Sequence, residues 1–227
     1  MVLQNHAASF TLTHRGIFYY TSEISLPWWE GLREGGFMRI KITTESLDTL
    51  AREGLAMGFF SDERPPKGHC GFVDWRLNGM ISREIALGHI SGKFMEKILI
   101  ATPPRIAASR ILLWGMGPLA ELTHDKLYLA GYHLSQTMDG IGCNDFVFNL
   151  PAAGRCHLPV SEITESMIRG CFDYLSRDIE KWATSSTTIL ADESYLDDVL
   201  SGLHTFKSNT RDVSIIEIEG LPEEKFL

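Results

Sequence analysis

LAMGFFSDERPPKGHCG, residues 55–71, joins an almost unbroken apolar run to a polar loop. A short apolar run of this kind is typical of a strand buried on both faces, as in a parallel sheet covered by helices. The prolines and glycines that follow mark a connecting loop. Residues 72–89, FVDWRLNGMISREIALGH, then predict one helix that ends at Gly88. Its apolar residues recur at every fourth position, at Val73, Leu77, Ile81 and Ile85.

The rest of the chain repeats this alternation of strands and helices. Further strands are predicted over residues 38–44, 97–103, 110–117, 145–151, 187–193 and 212–219. Helices are predicted over residues 123–142, 161–184 and 194–209, with Thr123 as an N-cap. Strands that alternate with helices predict an α/β fold, here a three-layer α/β/α domain with a mostly parallel or mixed sheet and helices on both faces.

The alternation divides the chain into three parts. Residues 37–220 form the predicted domain, and residues 221–227 form a polar tail. Residues 1–36 are rich in aromatic side chains, among them Trp28 and Trp29. We interpret them either as an arm that packs on the domain or on a partner, or as a stretch upstream of a true start at Met38. Both interpretations stay open at this point.

Composition limits the classes of partner and cofactor. The 227 residues carry a net charge of −8, and an acidic surface repels nucleic-acid backbones, so nucleic acid is not an expected partner. No apolar run reaches the roughly 20 residues of a membrane span, and the N-terminus lacks a signal-peptide pattern, so the expected location is the cytoplasm. The four cysteines form no C-x-x-C pair, so we expect neither a metal nor another cofactor.

Two loops are candidates for a ligand site, because open α/β sheets bind ligands beyond the carboxyl ends of their strands. In the first loop an acidic side chain can accept from a base or amine, and glycines let backbone N–H groups approach a phosphate. The second loop fits G-x-G-x-x-A, a weak form of the dinucleotide-binding pattern. The alternative interpretation is a solvated connection and a tight turn. The candidates are Ser61, Asp62, Gly68 and Gly71 in the first loop, and Gly115, Met116 and Gly117 in the second.

The common catalytic motifs do not identify a catalytic residue in this sequence. The chain contains no G-x-S-x-G and no H-E-x-x-H, so we predict no catalytic residue from them. A Cys–His nucleophile pair stays open, since distance along the sequence does not exclude it. Asp74 and Trp75 have structural interpretations. The carboxylate near the start of the predicted helix interacts with the helix dipole, and the indole packs in the core.

Five short motifs stand in order at Asp62–Pro65, Asp74–Gly79, Gly92–Phe94, Thr102–Pro103 and Gly115–Gly117. Taken together, they resemble the N-terminal domain of the leucyl aminopeptidase family. That family's pattern is a buried strand ending in Asp-Glu-Arg-Pro, an Asp-Trp-Arg-Leu-Asn-Gly helix, a Gly-Lys-Phe turn, a strand ending in Thr-Pro and a strand ending in Gly-x-Gly. Order and spacing agree together over residues 38–150, and more weakly beyond.

The resemblance implies a macro-domain-like fold without the family's chemistry. Leucyl aminopeptidases carry two metal ions, a catalytic lysine and an arginine in a separate C-terminal domain, and its Asn-Thr-Asp-Ala-Glu-Gly-Arg signature is missing here. The chain is expected to end where that domain would begin. Macro domains that bind ADP-ribose usually have an asparagine-rich and a glycine-rich loop. The corresponding places hold Phe59–Asp62 and Lys67–Gly71, which contain no asparagine.

Three hypotheses for the function follow from the resemblance. The first is a free-standing, non-catalytic module for binding, assembly or regulation. The second is a macro-like domain that binds a nucleotide or ADP-ribose, with or without hydrolase activity. The third is a subunit that associates with itself or with a separate aminopeptidase catalytic chain, because the family forms hexamers.

Overall fold

The computed structural model describes residues 39–219 apart from 48, 102, 104, 179–180, 182–183 and 211–214. The predicted arm at 1–36 and the polar tail at 221–227 lie outside the described residues. The strands within the described part are β1 (Arg39–Thr43), β2 (Gly54–Phe59), β3 (Lys97–Ala101), β4 (Arg110–Gly115), β5 (Asp145–Asn149), β6 (Ser186–Leu190) and β7 (Ile215–Glu219). They form one sheet with the order β3-β4-β2-β5-β6-β1-β7.

The sheet is parallel except at one edge. β3 runs antiparallel to β4, whereas each other neighbouring pair of described strands is parallel. The chain order reverses between β2 and β5. From β2 the chain moves to β3 and β4 on one side, and from β5 it moves to β6 on the other. Such a reversal leaves a crevice at the carboxyl ends of the two diverging strands.

Helices cover both faces of the sheet. They are α1 (Gly68–Arg76), α2 (Met80–Ala86), α3 (His124–Gly140), α4 (Val160–Leu175) and α5 (Leu196–Thr210). Successive residues of β5 serve opposite faces: Phe148 packs in the core beneath α3, α4 and α5, and Val147 packs in the core beneath α1 and α2. The predicted three-layer α/β/α architecture with a mixed sheet is therefore confirmed. In the described part of the chain, none of these helices is long and apolar enough to cross a membrane.

The single helix predicted over 72–89 is wrong, because the chain breaks it in the middle. Asn78 and Gly79 both have positive φ, 56° and 69°, which ends α1 and starts α2 in a new direction. Asp74 lies in the last turns of α1 rather than near a helix start, so its predicted dipole role is also wrong. Its buried carboxylate accepts from the Ser82 N–H at 3.0 Å and from the Ser82 hydroxyl, and so caps the first turn of α2.

The prediction that Trp75 packs in the core is wrong as well. α1 begins at Gly68, earlier than predicted, and it buries Cys70, Val73 and Asp74 against the sheet. Trp75 lies on the opposite side of this helix, and its side chain is 66% exposed. The four-residue spacing identified the buried face of the helix correctly, but Trp75 is not part of that spacing, so the pattern did not predict where its indole lies.

Two predicted helix ends have opposite outcomes. Thr123 is the N-cap of α3, and its side chain accepts from the Lys126 N–H, as predicted. α4 ends at Leu175 rather than continuing to residue 184. The residues that follow, 176–178, are polar and exposed and form a turn, so the helix has no further apolar stripe to bury there.

Two glycines allow α3 and α4 to pack with their backbones in contact. A Cβ placed on Gly131 of α3 would lie 2.1 Å from the Met167 carbonyl oxygen of α4. A Cβ on Gly170 of α4 would lie 2.1 Å from the Tyr128 carbonyl oxygen of α3. Neither contact can be relieved by turning a flexible side chain, because both oxygens belong to helix backbones. The separation of the two helices therefore requires glycine at both positions.

We expect Gly131→Ala to lower the free energy of unfolding by more than about 2 kcal/mol, because the methyl group forces α4 away from α3. Gly140→Ala is the matched control in the same helix, since a Cβ there meets nothing within 4 Å. That control should change stability by less than about 1 kcal/mol, in the stabilising direction. Urea unfolding of both variants measures the difference. Equal effects of the two substitutions would contradict the proposed backbone contact.

Candidate functional site

The two loops predicted to bind a ligand lie side by side, because β2 and β4 are parallel neighbours. Their backbones bond to each other and to the strands beside them. The Ser61 N–H donates to the Gly117 carbonyl at 3.0 Å, and the Met116 N–H donates to the Phe59 carbonyl at 2.9 Å. The Gly117 N–H donates to the Gly92 carbonyl at 2.9 Å. These N–H groups are therefore occupied by protein acceptors.

The other candidate residues of these loops have packing roles. Asp62 accepts the Leu119 N–H at 3.0 and 3.2 Å with its two carboxylate oxygens, which fixes the start of a 3₁₀ turn. A Cβ on Gly71 would lie 2.5 Å from the Pro66 carbonyl oxygen, and one on Gly115 would lie 2.1 Å from the Lys93 carbonyl oxygen. Both glycines are thus required by close backbone contacts, whatever else they do.

A more spacious cavity lies elsewhere along the same edge of the sheet, and we name it the switch cavity. Its volume is about 320 Å³, within the range of small-molecule sites. The wall comes from the start of α1, from the carboxyl ends of β5 and β6, from residues 150–155, and from the turn and helix start at 192–199. Of the predicted residues, Gly68 lines this cavity, and Met116 lines a separate void of about 10 Å³.

Asn149 occupies the point where β2 and β5 part. The pairing of these strands stops at Ala56 and Phe148, whereas β2 continues along β4. The Gly58 N–H would therefore lose its acceptor, and Asn149 Oδ1 accepts it at 2.9 Å. Asn149 is 6% exposed, and it lines the switch cavity. No acceptor among the described residues bonds its Nδ2, which leaves this amide with two N–H groups for a ligand.

The start of α1 forms the facing wall. Gly68 and His69 line the cavity, and the first N–H groups of a helix have no acceptor within the helix. Gly68 has φ +59°, and a Cβ there would lie 3.6 Å from an Arg155 guanidinium nitrogen. A side chain at this position would be strained and would fill the space beside the guanidinium. The positive φ favours glycine at this position, and the absence of a side chain leaves the space beside the guanidinium open.

Arg155 forms an ion pair with a buried acid. Its guanidinium donates to Glu63 and lies 5.8 Å from the centroid of the Phe60 ring. Glu63 is 6% exposed and the Arg155 side chain is 30% exposed, so the pair is asymmetric. The carboxylate is shielded by protein, whereas part of the guanidinium faces the cavity. With five N–H donors, Arg155 can hold Glu63 and still donate to a ligand.

His69 and Asp192 meet at another part of the wall, with Nε2 and Oδ1 3.4 Å apart. Burial lowers the pKa of His69 below its ordinary value of 6.5, and this effect exceeds the raising effect of Asp192. His69 is therefore neutral near pH 7. Asp192 also lines the cavity, and because its side chain is 58% exposed, solvent weakens but does not remove its repulsion of an anion.

The arrangement can bind acceptor-rich groups, and within the described residues it does not resemble a metal centre. No group of three or more His, Cys, Asp or Glu side chains in that part of the chain could hold an ion. Loop motifs did not identify Asn149, His69 or Arg155 as site residues. One signal was present in the sequence: Asn149 is the polar residue that ends the otherwise apolar strand FVFN. Arg155 follows a glycine in an irregular segment and had no comparable signal.

We expect Arg155→Gln to lower the free energy of unfolding by about 2 kcal/mol, because it leaves the buried Glu63 carboxylate without its cation. The double substitution E63Q/R155Q should recover most of this loss, since no unpaired charge then remains. Urea unfolding at neutral pH compares the three proteins. If the double variant is no more stable than the single one, Arg155 does not stabilise the domain by neutralising Glu63.

The lowered pKa of His69 predicts a pH-dependent contribution to stability. The unfolded chain binds a proton at this residue more readily, so stability is present above pH 6.5 and is lost as the pH falls through the lower folded-state pKa. His69→Gln should therefore lose less stability than the unsubstituted protein between about pH 7.5 and about pH 5. The exposed His204→Gln is the control and should follow the unsubstituted protein. Equal losses for both variants would disprove the assignment.

Comparison with known proteins relates the sequence of this chain to cytosol aminopeptidases. The family model for the N-terminal domain of the cytosol aminopeptidase family matches residues 56–178. A probable cytosol aminopeptidase of Geobacter sp. (strain M21) is 28% identical over 162 residues, which cover 68% of this chain and 32% of that protein. The chain spans about a third or less of the length of the curated relatives it matches.

Solved structures agree on the fold. A tomato leucine aminopeptidase variant matches 76% of this chain and 37% of its own length, with a TM-score of 0.52 and 16% identity. A macrodomain of Oceanobacillus iheyensis with ADP matches 74% of this chain and 90% of its own length, with a TM-score of 0.59 and 10% identity. The resemblance that the five motifs indicate is confirmed. The model of the family's N-terminal domain covers more than half of the sequence. The chain therefore belongs to the cytosol aminopeptidase family and corresponds to that family's N-terminal domain.

Proposed function

We propose that this domain is a non-catalytic binding module, and that its ligand is a small phosphate-bearing molecule of the nucleotide class held in the switch cavity. The observation that carries the proposal is Asn149, a buried amide that satisfies one protein donor and keeps its own N–H groups at the cavity wall. Asn149 Nδ2 is not sealed inside the protein, so it is open to the cavity, where a ligand oxygen can accept its N–H groups in place of water.

Three kinds of donor support a phosphate rather than a neutral apolar ligand. The start of α1 supplies backbone N–H groups and the positive end of the helix dipole. Arg155 adds a guanidinium whose partner, Glu63, is shielded from the cavity. Asn149 Nδ2 adds a third donor at the same cavity. Apolar side chains such as Phe72 and Leu150 complete a lining that suits a small organic molecule.

The macrodomain likeness supports the nucleotide class. Two of the matched macrodomains, from Oceanobacillus iheyensis and Trypanosoma brucei, were solved with ADP. This domain shares their fold at low sequence identity, and its loops after β2 lack the asparagines expected of an ADP-ribose binder. We therefore propose a related ligand held by a different set of donors, among which the asparagine comes from the end of β5.

An assembly role is the second candidate, and the matched family supports it. The domain corresponds to one part of longer proteins named as probable cytosol aminopeptidases. We propose that it associates with itself or with a separate aminopeptidase catalytic chain, in the cytoplasm, and that any peptidase activity requires that chain. Sedimentation of the pure protein, alone and mixed with an aminopeptidase catalytic chain, tests this association.

We expect ADP-ribose or ADP to bind the pure protein with a measurable heat in calorimetric titration and to raise its melting temperature. Asn149→Asp should abolish the binding, because it replaces the amide donor by an anionic acceptor while an Oδ atom still accepts the Gly58 N–H. Asn144→Asp is the matched control: it makes the same change at an exposed position just before β5, at the other end of the strand. This control should bind like the unsubstituted protein.

Absence of heat and of a thermal shift with both compounds would overturn the nucleotide proposal. The non-catalytic part has its own test. Incubation with leucine p-nitroanilide and Mn²⁺ or Zn²⁺ should give no turnover. Metal-dependent turnover that follows the protein through purification would contradict it.

A further inference from the structure

The most exposed large apolar side chain in the described part of the chain stands on the helix that begins at the switch cavity. Trp75 of α1 is 66% exposed, whereas Phe72 of the same helix lines the cavity. Tryptophan rarely lies this open to solvent, and exposed aromatics beside a pocket are typical of binding surfaces. Neither the fold nor the proposed phosphate site accounts for its position.

The geometry of α1 connects Trp75 to the cavity. Gly68, Phe72 and Trp75 are spaced i, i+4 and i+7, so they lie along one face of the helix. Cys70 and Val73 take the opposite, buried face. Gly68 and Phe72 line the cavity, and at 1.5 Å per residue Trp75 lies about 10 Å from Gly68 and about 4.5 Å beyond Phe72 along the axis. A ligand anchored at the helix start can therefore lie along this face.

Aromatic contacts position the indole along that path. The Phe72 and Trp75 ring centroids are 5.9 Å apart at an interplanar angle of 49°, so the ring that lines the cavity also contacts the exposed one. The Arg76 guanidinium lies over the Trp75 ring, 5.6 Å from its centroid. This cation–π contact holds the indole from one side and leaves most of its surface open.

We propose that Trp75 is a stacking platform for the planar ring of the ligand whose phosphate group binds in the switch cavity. This inference rests on the proposed function and specifies the ligand further. The ligand carries an aromatic base, and Trp75 recognises the π-face of this base rather than hydrogen-bonding groups at its edge. Stacking on an exposed indole is tolerant of base identity, because each base presents a π-face. The phosphate end then supplies the anchor, and Trp75 selects for a base.

Two probes that differ by the ring test this directly. AMP carries adenine, and ribose 5-phosphate carries the same sugar phosphate without it. In calorimetric titration we expect AMP to bind about tenfold more tightly than ribose 5-phosphate, a ratio typical of one stacked base. Trp75→Ala should remove this preference and leave the affinity for ribose 5-phosphate unchanged. Trp75→Phe, which keeps a smaller ring, should retain part of the preference.

Fluorescence gives a readout that a loss of folding would not imitate. The chain contains five tryptophans, so the difference between the unsubstituted protein and Trp75→Phe isolates the signal of Trp75. We expect AMP to quench that difference signal and ribose 5-phosphate to leave it unchanged. Trp75 is exposed, so circular dichroism and urea unfolding should be the same for all three proteins.

The outcomes separate this inference from the proposed function. If ribose 5-phosphate and AMP both bind with the same affinity, or if Trp75→Ala binds AMP as well as the unsubstituted protein does, the stacking role is wrong while the phosphate site stands. If neither compound binds, both proposals are overturned. A tenfold preference that Trp75→Ala abolishes supports them together.

Discussion

At the carboxyl end of β5 a side chain, not a backbone carbonyl, accepts the N–H of Gly58. This bond lets β2 and β5 part without leaving a buried donor unpaired, and Asn149 also lines the switch cavity, which the ends of β5 and β6 and the start of α1 surround. Because Oδ1 of Asn149 is the acceptor, the Nδ2 group of the same amide remains available as a donor. Asn149, which accepts the Gly58 N–H where the two strands separate, is therefore also well placed to bind a ligand.

Charge in the cavity depends on exposure more than on the number of charged residues. The chain carries a net charge of −8, and Arg155, Glu63 and Asp192 beside the cavity sum to −1. The Glu63 carboxylate is inaccessible to a ligand but still offsets the charge of Arg155, and Asp192 lines the cavity with its charge weakened by solvent. A bound anion therefore meets the exposed N–H groups of the guanidinium and the start of α1 as donors, and Asp192 as an opposing charge in the lining. An acidic protein can in this way present a site for an anion.

The order of strands and helices could be predicted from the sequence because it depends on local periodicity, as in LAMGFF and the N-cap at Thr123. The break at Asn78 could not, since the apolar spacing continues on both sides of it. The site residues predicted in the loops after β2 and β4 stay a prediction, and among them Gly68 lines the switch cavity. Asn149 and Arg155 lie far along the chain from Gly68, so a site made of all three needs the tertiary fold. Local motifs carry no information on such distant pairs.

Glycine in a loop has two possible roles that the sequence does not separate. A glycine-rich turn after a strand fits a phosphate loop, but the same residue is also needed wherever two backbones touch. At Gly115 and Gly71 the space that a Cβ would occupy is filled by a carbonyl oxygen of the protein, whereas at Gly68 it borders a guanidinium and the cavity. The atoms that lie where the Cβ of a glycine would be distinguish a packing role from a binding role. In this domain the two can be distinguished only in three dimensions, and the space beside Gly68 favours a binding role for the start of α1.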